Sequence, residues 1–157
     1  MSLRKQRIYV DTSVIGGCLD REFSDESLRL FDMIRGDRLM LVISQVVLDE
    51  LAGAPARVRD ILNSLPAEHI EFVALTPEVI ALRDAYITAK VVGTRWRQDA
   101  LHVAAASVTG VDAIVSWNFK HIVRLDRINA YNAVNEREGY RHLTIITPLE
   151  VTRAESG

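Results

Sequence analysis

The chain has 157 residues, 48% of them hydrophobic and 25% charged, a composition that excludes a disordered chain and suits one domain with its own core. The single cysteine, Cys18, excludes an intrachain disulfide and fits a reducing compartment, and the formal charge of −2 excludes a polycation, so nucleic acid would have to be held by a local patch or by metal ions. The start, MSLRKQRIYVDTS, has too short an apolar run for a signal peptide or a membrane span, and no later run reaches span length, so a cytoplasmic protein without a membrane partner is expected.

In chain order, Arg7 to Val10 (RIYV) predicts a short strand that ends in the turn-forming Asp-Thr-Ser. Ser24 to Ser27 offer caps for a helix carrying Leu28, Phe31, Met33 and Ile34, stopped at Gly36. Leu39 to Ile43 (LMLVI) is a continuous apolar run, as in a strand covered on both faces. Ser44 is placed to cap a helix, QVVLDELA, ending at Gly53, and Pro55 opens another with Val58, Ile61, Leu62 and Leu65 at helical spacing. Ile70 to Leu75 predicts a third strand, and Thr76-Pro77-Glu78 starts a helix through Ile87. Arg97 to Thr109 reads as an alanine-rich buried helix closed by Gly110. Ala113 to Ser116 predicts a fourth strand, a helix falls between Val123 and Gly139, and Leu143 to Ile146 predicts a fifth strand closed by Pro148. Alternating helices and short apolar strands predict an α/β fold: a single domain over 1–157, with a core from about 8 to 149 and a disordered C-terminal tail. Its central sheet is parallel, of about five strands, with helices on both faces.

Ligands of such sheets gather outside the carboxyl ends of the strands, where the strand order switches. Polar residues that directly follow a strand therefore carry the first interest. Asp11 is one, either a helix cap or Asx-turn or a carboxylate facing the crevice. Glu50 lies six residues past Ser44 and stands three and four residues after Val47 and Val46, on or beside the apolar helix face; a surface acid is the plain alternative. Asp99 and His102 share one side of the buried helix, where an acid in the first turn also suits the helix dipole and a histidine suits a satisfied core edge. Ser116 and Asn118 follow the fourth strand, where Asn118 could equally cap a turn while Trp117 and Phe119 pack. From Trp117 to His142 there are five Lys/Arg against three Asp/Glu, and Lys90, Arg95 and Arg97 flank the acid-bearing helix on its other side. Such a basic rim suits a polyanion, although a solvated charged face explains it too.

The segments YVDTSVIGG, SQVVLDEL and DALHVAAASVTGVDAIVSWNFKHI, in this order along an alternating α/β chain, resemble the PIN-domain family, with its toxin-like ribonucleases of the VapC type. The resemblance runs from about Ile8 to Leu149. It implies a metal-dependent endoribonuclease that leaves 5′-phosphate and 3′-hydroxyl ends, with Mg²⁺ or Mn²⁺ as cofactor. Residue by residue, the family's first Asp falls on Asp11, its helix Glu on Glu50 and the Asp opening its buried helix on Asp99. A fourth acid usually follows the fourth strand, and here Asn118 stands in its place, an oxygen donor without charge that would weaken a second metal. Asp112 precedes that strand and is a poor substitute. Thr12, Ser13 and Ser116 are expected to support Asp11, and Arg95, Arg97, Lys120 and His121, along the basic rim, to face the substrate.

RNA is the implied substrate, a small antitoxin whose tail covers the acid pocket is the implied partner, and a homodimer is common in the family. Three carboxylates gathered without a cation should leave one of them with a raised pKa, or the site loosened. Two other classes bear comparison. A catalytically weakened RNA- or partner-binding module would account for Asn118. A phosphatase using Asp11 as nucleophile is disfavoured, because Ser13 stands where haloacid-dehalogenase-like phosphatases carry a second Asp.

Overall fold

The computed structural model describes residues 4–156, so the expected domain limits at residues 1 and 157 lie outside the described residues. A five-stranded sheet organises the chain in the order β3-β2-β1-β4-β5. The strands are β1 (Gln6–Val10), β2 (Leu39–Ser44), β3 (Ile70–Val73), β4 (Ala113–Val115) and β5 (Ile145–Ile146). Every pairing is parallel, with Ile8 opposite both Leu41 and Ala113 in the central three strands. Successive residues of a strand point to opposite faces, and Ile8, Tyr9 and Val10 are all buried, so the sheet is covered on both sides.

The helices are α1 (Thr12–Gly17), α2 (Ser24–Arg35), α3 (Gln45–Ala52), α4 (Ala56–Asn63), α5 (Pro77–Thr88), α6 (Arg97–Thr109), α7 (Leu125–Arg137) and α8 (Pro148–Ser156). Single 3₁₀ turns occupy Ala67–His69 and Thr94–Trp96. Among the described residues, no helix is long and apolar enough to cross a membrane. The α6 helix is apolar nearly all round, from Ala100 to Ala106, as a helix enclosed by its neighbours must be. Gly110 ends it at φ +73°, a left-handed conformation that glycine adopts without a Cβ clash.

The structure departs from the sequence expectations at identifiable places. The disordered tail is corrected: Pro148 does not simply close β5 but begins α8, which packs on α2 and buries Thr152. Proline suits a first helical turn because its missing N–H has no intrahelical partner there. The six-residue α1 was not expected, and it buries Val14 and Ile15 directly after Asp11. β3 stops at Val73 rather than Leu75, where Thr76 caps α5 through Val79 N–H, and β5 spans two residues rather than four. Ser44 sits at the start of α3, but its hydroxyl does not cap the helix.

Candidate active site

The chain lays β2 and β3 on one side of β1 and then returns to lay β4 and β5 on the other, so the switch in strand order lies at the carboxyl ends of the neighbours β1 and β4. Asp11 follows β1 and Ser116 follows β4 at this point. Asp11 occupies the position before α1, yet its side chain caps nothing there. Its Oδ1 accepts from the Ser13 hydroxyl at 2.6 Å and its Oδ2 from the Ser116 hydroxyl at 2.6 Å. The carboxylate is buried, its side-chain partners are two hydroxyls, and among the described residues no Lys or Arg bonds it. Burial pushes its pKa up, against the pull of His102, the two hydroxyls and the Val14 N–H. A raised carboxylate was expected from repulsion among three acids; the cause here is desolvation.

Ser13 and Ser116, expected in supporting roles, both bond Asp11. The Ser13 hydroxyl also accepts from Trp117 N–H at 2.9 Å, and Ser116 accepts from Asn118 N–H at 2.9 Å. The loop after β4 is thereby tied to the loop after β1. Gly17 lets this happen, because a Cβ there would meet the Ser27 hydroxyl at 2.7 Å and Trp117 Nε1 at 2.9 Å, the two atoms joined by a hydrogen bond of 2.8 Å.

Glu50, on α3, is held from two sides. Thr12 donates to its Oε1 at 2.8 Å, and His102 Nε2 lies 2.6 Å from the same oxygen. His102 is buried on α6, and its Nδ1 meets the Tyr9 hydroxyl at 2.8 Å, which in turn meets the Ser44 hydroxyl at 2.7 Å. One arrangement satisfies every atom: Ser44 donates to Tyr9, Tyr9 donates to His102 Nδ1, and His102 Nε2–H donates to Glu50. Burial alone would raise the Glu50 pKa, but the hydrogen bond and electrostatic pull of His102, with the Thr12 hydroxyl, bring it below the ordinary value. The satisfied core-edge histidine expected at His102 is thus present, and it also holds the Glu50 carboxylate.

Asp99, three residues before His102, does not pair with it. Its Oδ2 lies 3.0 Å from His121 Nδ1. The His121 ring is stacked on Trp96 at 4.2 Å between centroids, so this residue of the expected substrate side faces Asp99 and an aromatic ring. The Asn118 side-chain oxygen accepts from Lys120 N–H at 3.2 Å and His121 N–H at 3.0 Å. It serves the turn, the plainer of its two expected roles. Asp112 lies at the amino end of β4, held by Arg4 and by the Arg7 N–H. Cys18 is buried packing, and burial pushes its thiol pKa up to about 12.

The oxygen donors are of a kind that suits a hard divalent cation. Their arrangement does not form a cage for one: among the described residues, no three His, Cys, Asp or Glu side chains are grouped to hold a metal ion. Glu50 and Asp99 each have a histidine as partner, and the Asn118 oxygen faces its own backbone. What the arrangement does provide is a desolvated carboxylate at the switch point, framed by hydroxyls. Arg95, Arg97 and Lys120, the expected substrate side, are exposed.

No protein-family model and no curated protein sequence matches the chain. Among solved structures it is similar to VapBC2 from Rickettsia felis bound to a DNA fragment from their promoter, with a TM-score of 0.57 at 13% identity, covering 90% of this chain and 98% of that one. It is also similar to DNA-bound VapBC from Salmonella typhimurium, with a TM-score of 0.56 at 15% identity, covering 91% of this chain and 98% of that one. At such identities the likeness is one of fold. With its parallel β3-β2-β1-β4-β5 sheet and an acid at the switch point, the chain has the PIN-domain fold that its sequence resembles and that it shares with these VapBC structures.

Proposed function

We propose that the protein is a PIN-type endoribonuclease, the toxin half of a toxin–antitoxin pair, with Asp11, Glu50 and Asp99 as its working acids. The observation that carries this reading is Asp11: a carboxylate buried at the switch between β1 and β4, held by two hydroxyls rather than by a cation. A structural acid so deeply buried would ordinarily be neutralised by Lys or Arg. Hydrolysis would leave 5′-phosphate and 3′-hydroxyl ends, as the family resemblance implies. The likeness to two DNA-bound VapBC structures supports an antitoxin partner and a cytoplasmic setting, and a homodimer belongs to the same proposal.

Dependence on Mg²⁺ or Mn²⁺ is part of the proposal by resemblance and by donor chemistry. It requires Glu50 and Asp99 to exchange their histidine partners, since the side chains do not group around a cation as they stand. The same observation favours a second reading, a weakened PIN-type module that binds RNA or a partner without cutting. The Asn118 oxygen, engaged by its own turn, points the same way.

Cleavage of a labelled single-stranded RNA in Mn²⁺ separates the two. The nuclease reading expects turnover by the wild type and a fall of about a hundredfold or more in Asp11→Asn, the scale of removing one preorganised electrostatic group. Equal turnover by both proteins would remove Asp11 from the site. No turnover at all, with RNA binding that persists in EDTA, would establish the binding module.

A further inference from the structure

Two aromatic side chains lie open beside the acids. Trp96, in the turn that leads into α6, is 39% exposed, and Phe119, in the turn after β4, is 48% exposed. Each is tied to one side of the site. Trp96 stacks on His121 with 23° between the ring planes, and His121 holds Asp99 at 3.0 Å. Phe119 belongs to a cluster with Phe23 and Trp117, and the Trp117 N–H is bonded to Ser13, which donates to Asp11. The Arg95 guanidinium carbon lies 5.0 Å from the centre of the Trp96 ring that His121 also stacks, so a base at Trp96 would take the place of the guanidinium and release it to a phosphate. Arg95, Arg97 and Lys120 are exposed and form no ion pair among the described residues.

Exposed aromatics of this size forgo burial that a core position would give them, and here they stand next to unpaired cations. That pairing of chemistries matches a polyanion carrying flat rings. Nucleobases have a π-face to offer, and phosphates answer the guanidinium and ammonium groups. A duplex keeps its bases stacked on each other and cannot present them. Resting on the ribonuclease reading above, we propose that Trp96 and Phe119 are base-stacking surfaces on the two sides of the Asp11–Asp99 site, and that they select single-stranded over duplex RNA.

The test uses the full chain in EDTA, so that binding is read without turnover. A short fluorescein-labelled single-stranded RNA is titrated by anisotropy, beside the same strand annealed to its complement. Trp96→Leu and Phe119→Leu are each expected to weaken single-strand binding about tenfold, while Trp96→Phe keeps it within about threefold. The duplex is expected to bind more weakly than the single strand and to be indifferent to Trp96→Leu. Single-strand binding should also quench tryptophan emission, and in Trp96→Phe the quench should shrink although anisotropy still reports binding. Wild-type affinity in both Leu variants would overturn the proposal, as would equal affinity for duplex and single strand. So would an acidic peptide that binds in a Trp96-dependent way when the single strand does not. The two readings fail separately. If the wild type never cleaves RNA but Trp96-dependent binding holds, the stacking site stands and the nuclease does not. If Asp11→Asn abolishes cleavage while binding ignores both rings, the nuclease stands and the stacking site does not.

Discussion

Acids sit at both ends of the parallel sheet, and the fold treats them in opposite ways. Near the amino ends, Asp112 accepts from the Arg4 guanidinium at 2.6 Å and from the Arg7 N–H at 2.8 Å, while the Arg7 guanidinium grips Glu71 at 3.0 Å. Burial would raise Asp112, but these donors and the two arginine charges hold its carboxyl below the usual range. At the carboxyl ends, Asp11 receives hydroxyls and, among the described residues, no Arg or Lys, and burial leaves its pKa raised. The first arrangement ties strands together with matched charge. The second keeps a carboxylate in a state that a cation or a substrate proton would relieve. On the proposed function, the contrast separates acids that hold the fold from acids that the fold holds for use.

The largest expected effect tests whether the carboxyl end is also structurally braced. His102→Ala removes the shared partner of Tyr9 and Glu50, leaves the buried Tyr9 hydroxyl with Ser44 alone, and opens space beside α6. Urea unfolding should show a loss of about 3 kcal/mol, the sum of a cavity and a poorly satisfied buried group. A loss below about 1 kcal/mol would mean that Glu50 is placed without its histidine.

Next in size is the amino end. Asp112→Asn should cost about 1.5 kcal/mol at neutral pH, the scale of a hydrogen bond to a charged group. Because folding lowers the Asp112 pKa, its contribution is complete above the ordinary carboxylate range and is lost as pH falls through the lowered value. The stabilities of wild type and variant should therefore converge on acidification, as read by thermal melts across pH.

Much of this division was legible in the chain before folding. A short apolar strand ending in Asp-Thr-Ser marked Asp11, and the apolar run of α6 with Gly110 behind it marked Asp99. The partners were not legible. Glu50 and His102 are 52 residues apart, and only the packing of α3 on α6 joins them. Helical spacing set Asp99 beside His102, yet each takes its partner from another element, Asp99 from His121 and His102 from Glu50. The α1 helix escaped because TSVIGG is short and glycine-rich, with poor intrinsic helicity, and is held by burial of Val14 and Ile15. The α8 helix escaped because Pro148 reads as a stop when it can equally be a first helical residue.

The smallest expected effect has the opposite sign, and it bears most directly on the comparison. Folding raises the Asp11 pKa, so no penalty exists below the ordinary carboxylate range, where the group is protonated in both states. The penalty develops as pH rises from the ordinary value to the raised one, and it is complete above that. Asn at position 11 carries no charge to desolvate, and its amide can still accept one of the two serine hydroxyls while Ser116 or Ser13 accepts from its nitrogen. Asp11→Asn should therefore be more stable than the wild type by about 1 kcal/mol at neutral pH, a gain typical of relieving a functional site, and the gain should vanish in acid. Both acid-end variants then converge with the wild type at low pH, but from opposite sides: Asp112→Asn from below and Asp11→Asn from above. If Asp11→Asn instead lost stability at neutral pH, Asp11 would belong with Asp112 as a structural acid, and the two ends of the sheet would differ in neighbours but not in purpose.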